Sequence, residues 1–123
     1  MEVTYQFKHL TKEDEKKFVD YVEQKIPAIA NLLTKFADDA AILKASIEKF
    51  EKHDAYEVEF QLSLPAKSLV AKEASHQIMK AVDLSKDRLQ IQIKKHIAHL
   101  RKDRQHGSIR HQETELKVSL ETY

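Results

Sequence analysis

Hydrophobic and polar positions alternate at the start of the chain. Val3, Tyr5 and Phe7 are set against Thr4, Gln6 and Lys8, the period-two pattern of a half-buried strand. The spacing then lengthens. Phe18, Tyr21, Val22, Ile26, Ile29, Leu32, Leu33 and Phe36 form a helical stripe. Thr11 stands where an N-cap is needed, and Glu13, Asp14 and Glu15 fill the first turn, where acids favour a helix. Pro27 has no N–H to give and crowds the preceding turn, so a kink or break is expected near Gln24 to Ile26. Asp38-Asp39 marks a turn. Ala41, Leu43, Ala45 and Ile47 then alternate with Ile42, Lys44, Ser46 and Glu48 as a second strand, and Glu51 to Ala55 reads as a hairpin loop. The third strand has Tyr56, Val58, Phe60, Leu62 and Leu64 on one face and Glu57, Glu59, Gln61 and Ser63 on the other. Pro65 ends it, because proline cannot donate to a central ladder. Ala66-Lys67 turns the chain into a short fourth strand, Ser68 to Glu73, with Leu69 and Ala71 inward.

Gln77 to Gln105 reads as one long helix. Ile78, Val82, Leu89, Ile93, Ile97 and Leu100 supply its apolar stripe, and Gly107 is placed as its C-cap. Arg88, Gln92, Lys95, His99 and Lys102 follow the same period along one flank. Lys80, Lys94 and Arg101 cluster toward the other side, and Leu84 and Ile91 point outward. The order β-α-β-β-β-α predicts an α+β two-layer sandwich, a four-stranded sheet with both helices on one face. The other face would show Glu48, Glu57, Glu59, Gln61, Ser63 and Lys72 to water. Residues 1–106 form the expected domain, with 107–123 as a tail. Glu113 to Leu120 alternates, with Leu116, Val118 and Leu120 on one side. That suits either an added edge strand, in this chain or a partner, or a disordered end.

Charge sharpens the picture of the long helix. The chain of 123 residues has a formal net charge of +1. From Gln77 to His111, nine Lys and Arg stand against Asp83, Asp87 and Asp103, so this window is 9 − 3 = +6 and the remainder −5. Four of the seven histidines, at 96, 99, 106 and 111, lie there too. Such asymmetry points to a polyanionic partner, most often nucleic acid, against the plainer alternative of a solvated helix face. There is no cysteine, which excludes disulfides and thiolate chemistry. A single glycine excludes phosphate-cradling loops. No apolar run approaches a membrane span, and the N-terminus lacks the features of a signal peptide, so a cytoplasmic location is expected.

Chemistry finds little support. His96-x-x-His99 has a metal-like spacing, but His96 falls near the apolar stripe and His99 on the basic flank, so they diverge. A packed His96 and a phosphate-facing or solvated His99 fit better. Asp38-Asp39 sits in a turn and Glu57 with Glu59 on a solvent face, without a pocket to perturb them. No serine lies in an elbow motif with a histidine partner. No enzyme activity, cofactor, metal or small-molecule substrate is expected.

Over about residues 1–105, and best in its second half, the chain resembles the short ribosome hibernation-promoting factors, the family that includes the ribosome-associated inhibitor A, with the first helix similar only in pattern. Tyr56 to Pro65 is similar to that family's third strand and Leu69-Val-Ala71 to its fourth. Ala81-Val82-Asp83 is similar to the A-I-D that opens its last helix, and Asp87-Arg88-Leu89, Gln92-Ile93 and Lys95-His96 follow that helix's pattern. The chain departs from the family at Gln77 and Met79, at Pro27, and at Pro65-Ala66-Lys67, where the family turn is glycine-rich. The resemblance implies binding to the small ribosomal subunit, its 16S rRNA and neighbouring ribosomal proteins. It further implies occlusion of the mRNA and tRNA channel in stressed or stationary cells, with no chemistry. Arg88, Gln92 and Lys95 match the family's basic helix face. His99 and Lys102 extend that line by periodicity, with Lys94 and Arg101 as further rRNA-binding candidates.

Two other readings compete. A double-stranded RNA-binding domain has a related layer order but a basic start to its last helix, whereas Gln77 to Asp83 has one lysine and one aspartate. A protein-interaction module would use the tail strand with Leu84 and Ile91.

Overall fold

The computed structural model describes residues 1–109, with side chains described for residues 1–102 other than Asp38. It resolves into two compact units, Met1–Ile93 and Lys94–Tyr123. The alternating segment Glu113 to Leu120 lies outside the described residues.

Four strands, β1 (Glu2–Lys8), β2 (Ile42–Phe50), β3 (Ala55–Leu64) and β4 (Lys67–Ser75), form one sheet in the order β1-β2-β3-β4. β1 runs parallel to β2, with Tyr5 beside Ala45, and α1 (Lys12–Ala30) makes the crossover between them. The β2–β3 and β3–β4 pairs are antiparallel, setting Ala45 beside Phe60 and Phe60 beside Ala71. Alternation holds in every strand. Leu43, Ala45, Ile47, Val58, Phe60, Leu62, Leu69 and Ala71 are buried on one face. Against them pack Phe18, Val22 and Ile29 of α1 and Ile78, Ala81, Val82, Leu89 and Ile93 of α2 (Ile78–Ile109). Each large apolar side chain so enclosed contributes about 1.5–3 kcal/mol relative to exposure. The Phe18 ring meets the edges of Tyr5 and Phe7 at centroid distances of 6.3 and 6.2 Å, which seats α1 over β1.

Local signals explain most boundaries. The Thr11 side chain accepts from the Asp14 N–H at 3.1 Å and caps α1 as expected. The loop after β2 is a short 3-10 turn, Glu51–His53, closed by Asp54 in the left-handed region at φ 48°. Leu64 pairs with Lys67, so the β3–β4 turn is Pro65-Ala66, one residue earlier than the sequence pattern suggests. Ala66 takes φ 62° there.

Three expectations are corrected. Pro27 does not break α1, which runs unbroken to Ala30 and then tightens into a 3-10 turn, Asn31–Leu33. Pro27 sits in the last turn, where it forfeits one hydrogen bond while Ile29 and Leu33 beyond it are buried in the core. Gly107 does not end α2, which continues to Ile109. Leu100, assigned to the apolar stripe, is 37% exposed.

Candidate nucleic-acid interface

The approach of α2 to the sheet is set by a small polar residue that the periodicity did not single out. Ser85 is fully buried, and its hydroxyl donates to the Val58 carbonyl at 2.8 Å. A larger side chain would hold the helix off β3. With Ala81 it completes the buried face of Ile78, Val82, Leu89 and Ile93.

α1 and α2 are tied across their polar flanks. The Tyr21 phenol donates to both oxygens of the Asp83 carboxylate. Lys25 lies 3.5 Å from the same carboxylate and 4.7 Å over the Tyr21 ring. The Tyr21 hydroxyl, with support from Asp83, holds the Lys25 ammonium above its ordinary range. Two further phenols pin α1 to the sheet. Tyr5 of β1 donates to Glu23, and Tyr56 of β3 donates to Asp14 at 3.2 Å.

This scaffold fixes Arg88 and Gln92 beside β4. The Gln92 amide donates to the Val70 carbonyl at 2.7 Å, and the Arg88 guanidinium is paired with the Glu73 carboxylate. The two side chains are therefore brought together on one strand edge, but neither is idle. Arg88 remains 59% exposed with its charge partly offset by Glu73. Glu73 stands inside the strand pattern, and only its placement opposite Arg88 in three dimensions reveals the pairing.

In the second unit Lys94, Lys95, His99 and Arg101 are exposed and Lys102 is partly so. No acid falls between Lys94 and Lys102 in the sequence, so this stretch of the helix is locally rich in cations. His96 is half-buried and its Nε2 atom is shielded, which separates it from the exposed His99. His106 and His111 lie outside the described side chains. Leu84 and Ile91 are 38% and 55% exposed, so both point outward as the pattern indicates. Glu57 and Glu59 sit half-exposed on the outer sheet face, opposite Ala74 and Lys72 of β4.

No family model and no curated protein matches the chain. Solved structures do. The N-terminal domain of Protein Y from Thermus thermophilus matches with a TM-score of 0.56 at 24% identity, over 77% of this chain and 98% of that one. A ribosomal subunit interface protein from Coxiella burnetii matches with a TM-score of 0.56 at 16% identity, over 80% of this chain and 99% of that one. The chain has the fold of these two proteins, a four-stranded mixed sheet with two helices in the order β-α-β-β-β-α, which is the fold that the sequence resemblance implies.

Proposed function

We propose that the chain is a cytoplasmic ribosome-associated hibernation factor. It binds the small ribosomal subunit through the basic side of α2, occludes the mRNA and tRNA channel under stress or in stationary phase, and performs no chemistry. The observation that carries this reading is the fold match to a ribosomal subunit interface protein over nearly the whole of that protein. The exposed cations of α2 supply the physical means. Folded rRNA offers phosphates on an irregular surface, and a rigid helix with Lys94, Lys95 and Arg101 exposed suits recognition of shape and backbone. Among the described residues no helix is long and apolar enough to cross a membrane. Arg88 and Gln92 of the first unit, and His99 and Lys102 of the second, are further proposed rRNA contacts, with Arg88 reaching RNA only in competition with Glu73.

The test is co-sedimentation with purified bacterial ribosomes across a salt series, with wild type beside an Arg88→Glu, Lys95→Glu, Lys102→Glu triple variant. Saturable pelleting with small subunits or whole ribosomes, lost in the variant, supports the reading. With about five phosphate contacts, affinity should fall on the order of a hundredfold between 50 and 200 mM salt. A folded wild type that does not pellet even at low salt refutes it.

A further inference from the structure

Among the described residues the sheet has two edges, and they are not alike. At β4, the Gln92 amide takes the Val70 carbonyl and Arg88 pairs with Glu73, so α2 side chains guard that edge. β1 is the other terminal strand. Its Glu2 N–H donates to the Ala41 carbonyl at 3.1 Å, so the even-numbered residues turn their peptide groups toward β2. The two-residue period then turns the N–H and C=O of Val3, Tyr5 and Phe7 away from the sheet. Such a row of peptide groups is a template for another strand.

We infer that this edge binds a second copy of the chain, with β1 pairing antiparallel to the partner's β1 about a two-fold axis at Tyr5. The sequence Glu-Val-Thr-Tyr-Gln-Phe-Lys is self-complementary in that register. Tyr5 faces the partner's Tyr5 and Val3 faces the partner's Phe7. All outward peptide groups then meet in hydrogen-bonded pairs. Glu2 faces the partner's Lys8 in a non-hydrogen-bonded pair, where side chains approach most closely, and symmetry makes the contact twice. A one-residue slip sets outward peptide groups against inward ones and inverts the faces. A two-residue slip shortens the overlap and leaves Glu2 and Lys8 without opposite charges. Lys8 is available for the pairing, since its side chain is 66% exposed and its contact with Glu48 is a long 3.9 Å. The two-fold axis stands perpendicular to the sheet, so the helix layers of both copies lie on the same side of one continuous sheet. This inference is independent of ribosome binding.

Sedimentation equilibrium of the full chain from micromolar to millimolar concentration is expected to show a monomer–dimer equilibrium. Hydrogen exchange at Val3, Tyr5 and Phe7 should slow as concentration rises. Glu2→Lys leaves the Lys8–Glu48 contact intact and sets like charges opposite at both pairs. It should raise the dimer dissociation constant roughly ten-fold. The double variant Glu2→Lys with Lys8→Glu should restore it. Circular dichroism matched to wild type establishes that each variant is folded. A chain monomeric at millimolar concentration overturns the inference, as does a dimer indifferent to Glu2→Lys. Protection of these amides that does not vary with concentration also overturns it, and would give the edge to the chain's own C-terminal segment instead.

Discussion

Tyr21 and Asp83, sixty-two positions apart, are joined by a phenol that donates to both carboxylate oxygens, at 2.9 and 2.8 Å. The bond links the middle of α1 to the second turn of α2. Removing the hydroxyl with Tyr21→Phe deletes a charge-assisted bond and leaves the ring in place. Its partly exposed position puts the loss at about 1–1.5 kcal/mol, near the low end for bonds to charged groups. Urea unfolding should show a lower midpoint with an unchanged slope. A midpoint equal to wild type would mean that water replaces the phenol without cost.

Ala66 pays a steric penalty in the β3–β4 turn. It holds φ 62° after Pro65, the arrangement of a type II turn, in which glycine is the natural second residue. A Cβ in this region costs roughly 1–2 kcal/mol, and glycine returns part of that as unfolded-chain entropy. Ala66→Gly should therefore stabilise the fold by about 0.5–1 kcal/mol. Denaturant titration is the check, and a destabilised variant would show that the turn is not strained.

Stability should decline in strong alkali, and Tyr5 should carry part of the decline. Burial, then the hydrogen bond and charge of Glu23, push the Tyr5 phenol well above its ordinary range. Burial and the Asp14 carboxylate raise Tyr56, against a smaller opposing effect of Lys49. Between the unfolded and folded values the native chain holds protons that the unfolded chain has released. The associated stability is present in full below about pH 10 and is lost as pH rises beyond it. The melting temperature should fall less steeply from about pH 9 to pH 11 in Tyr5→Phe than in wild type. Parallel curves would remove Tyr5 from the account.

Glu73 should act as an internal competitor for RNA if the proposed surface is used. Its carboxylate occupies the guanidinium that a phosphate would otherwise take. Glu73→Gln should tighten ribosome binding by up to about five-fold, the range of an exposed ion pair. Salt should shrink the gain, and an Arg88→Ala background should abolish it. A gain that persists without Arg88 would assign the effect to net charge alone.

The strands are legible because each has one face more enclosed than the other, half-buried in β1 and buried in the rest. Val58, Phe60, Leu62 and Leu64 alternate with half-exposed polar residues, and the observed β3 follows that pattern. Thr11 announced the start of α1 by its own chemistry. The misreadings arise where three-dimensional context outweighs local preference. Core burial beyond Pro27 carries α1 through a residue that disfavours it. Nothing in the local pattern singles out Ser85, because its role depends on the Val58 carbonyl, twenty-seven residues away in sequence. The same holds for the proposed interface. Periodicity found the exposed cations of α2, but the partners of Arg88 and Gln92 come from β4, and no local pattern announces them.

The three phenol–carboxylate clasps also give the protein an optical signature. It has no tryptophan, and Tyr5, Tyr21 and Tyr56 are three of its four tyrosines. Each donates to a carboxylate in the folded chain. An excited phenol beside a carboxylate surrenders its proton readily and emits weakly. Native emission should therefore be dim and should brighten on unfolding, so that loosening of α1 from the sheet or from α2 can be followed by light without any added label.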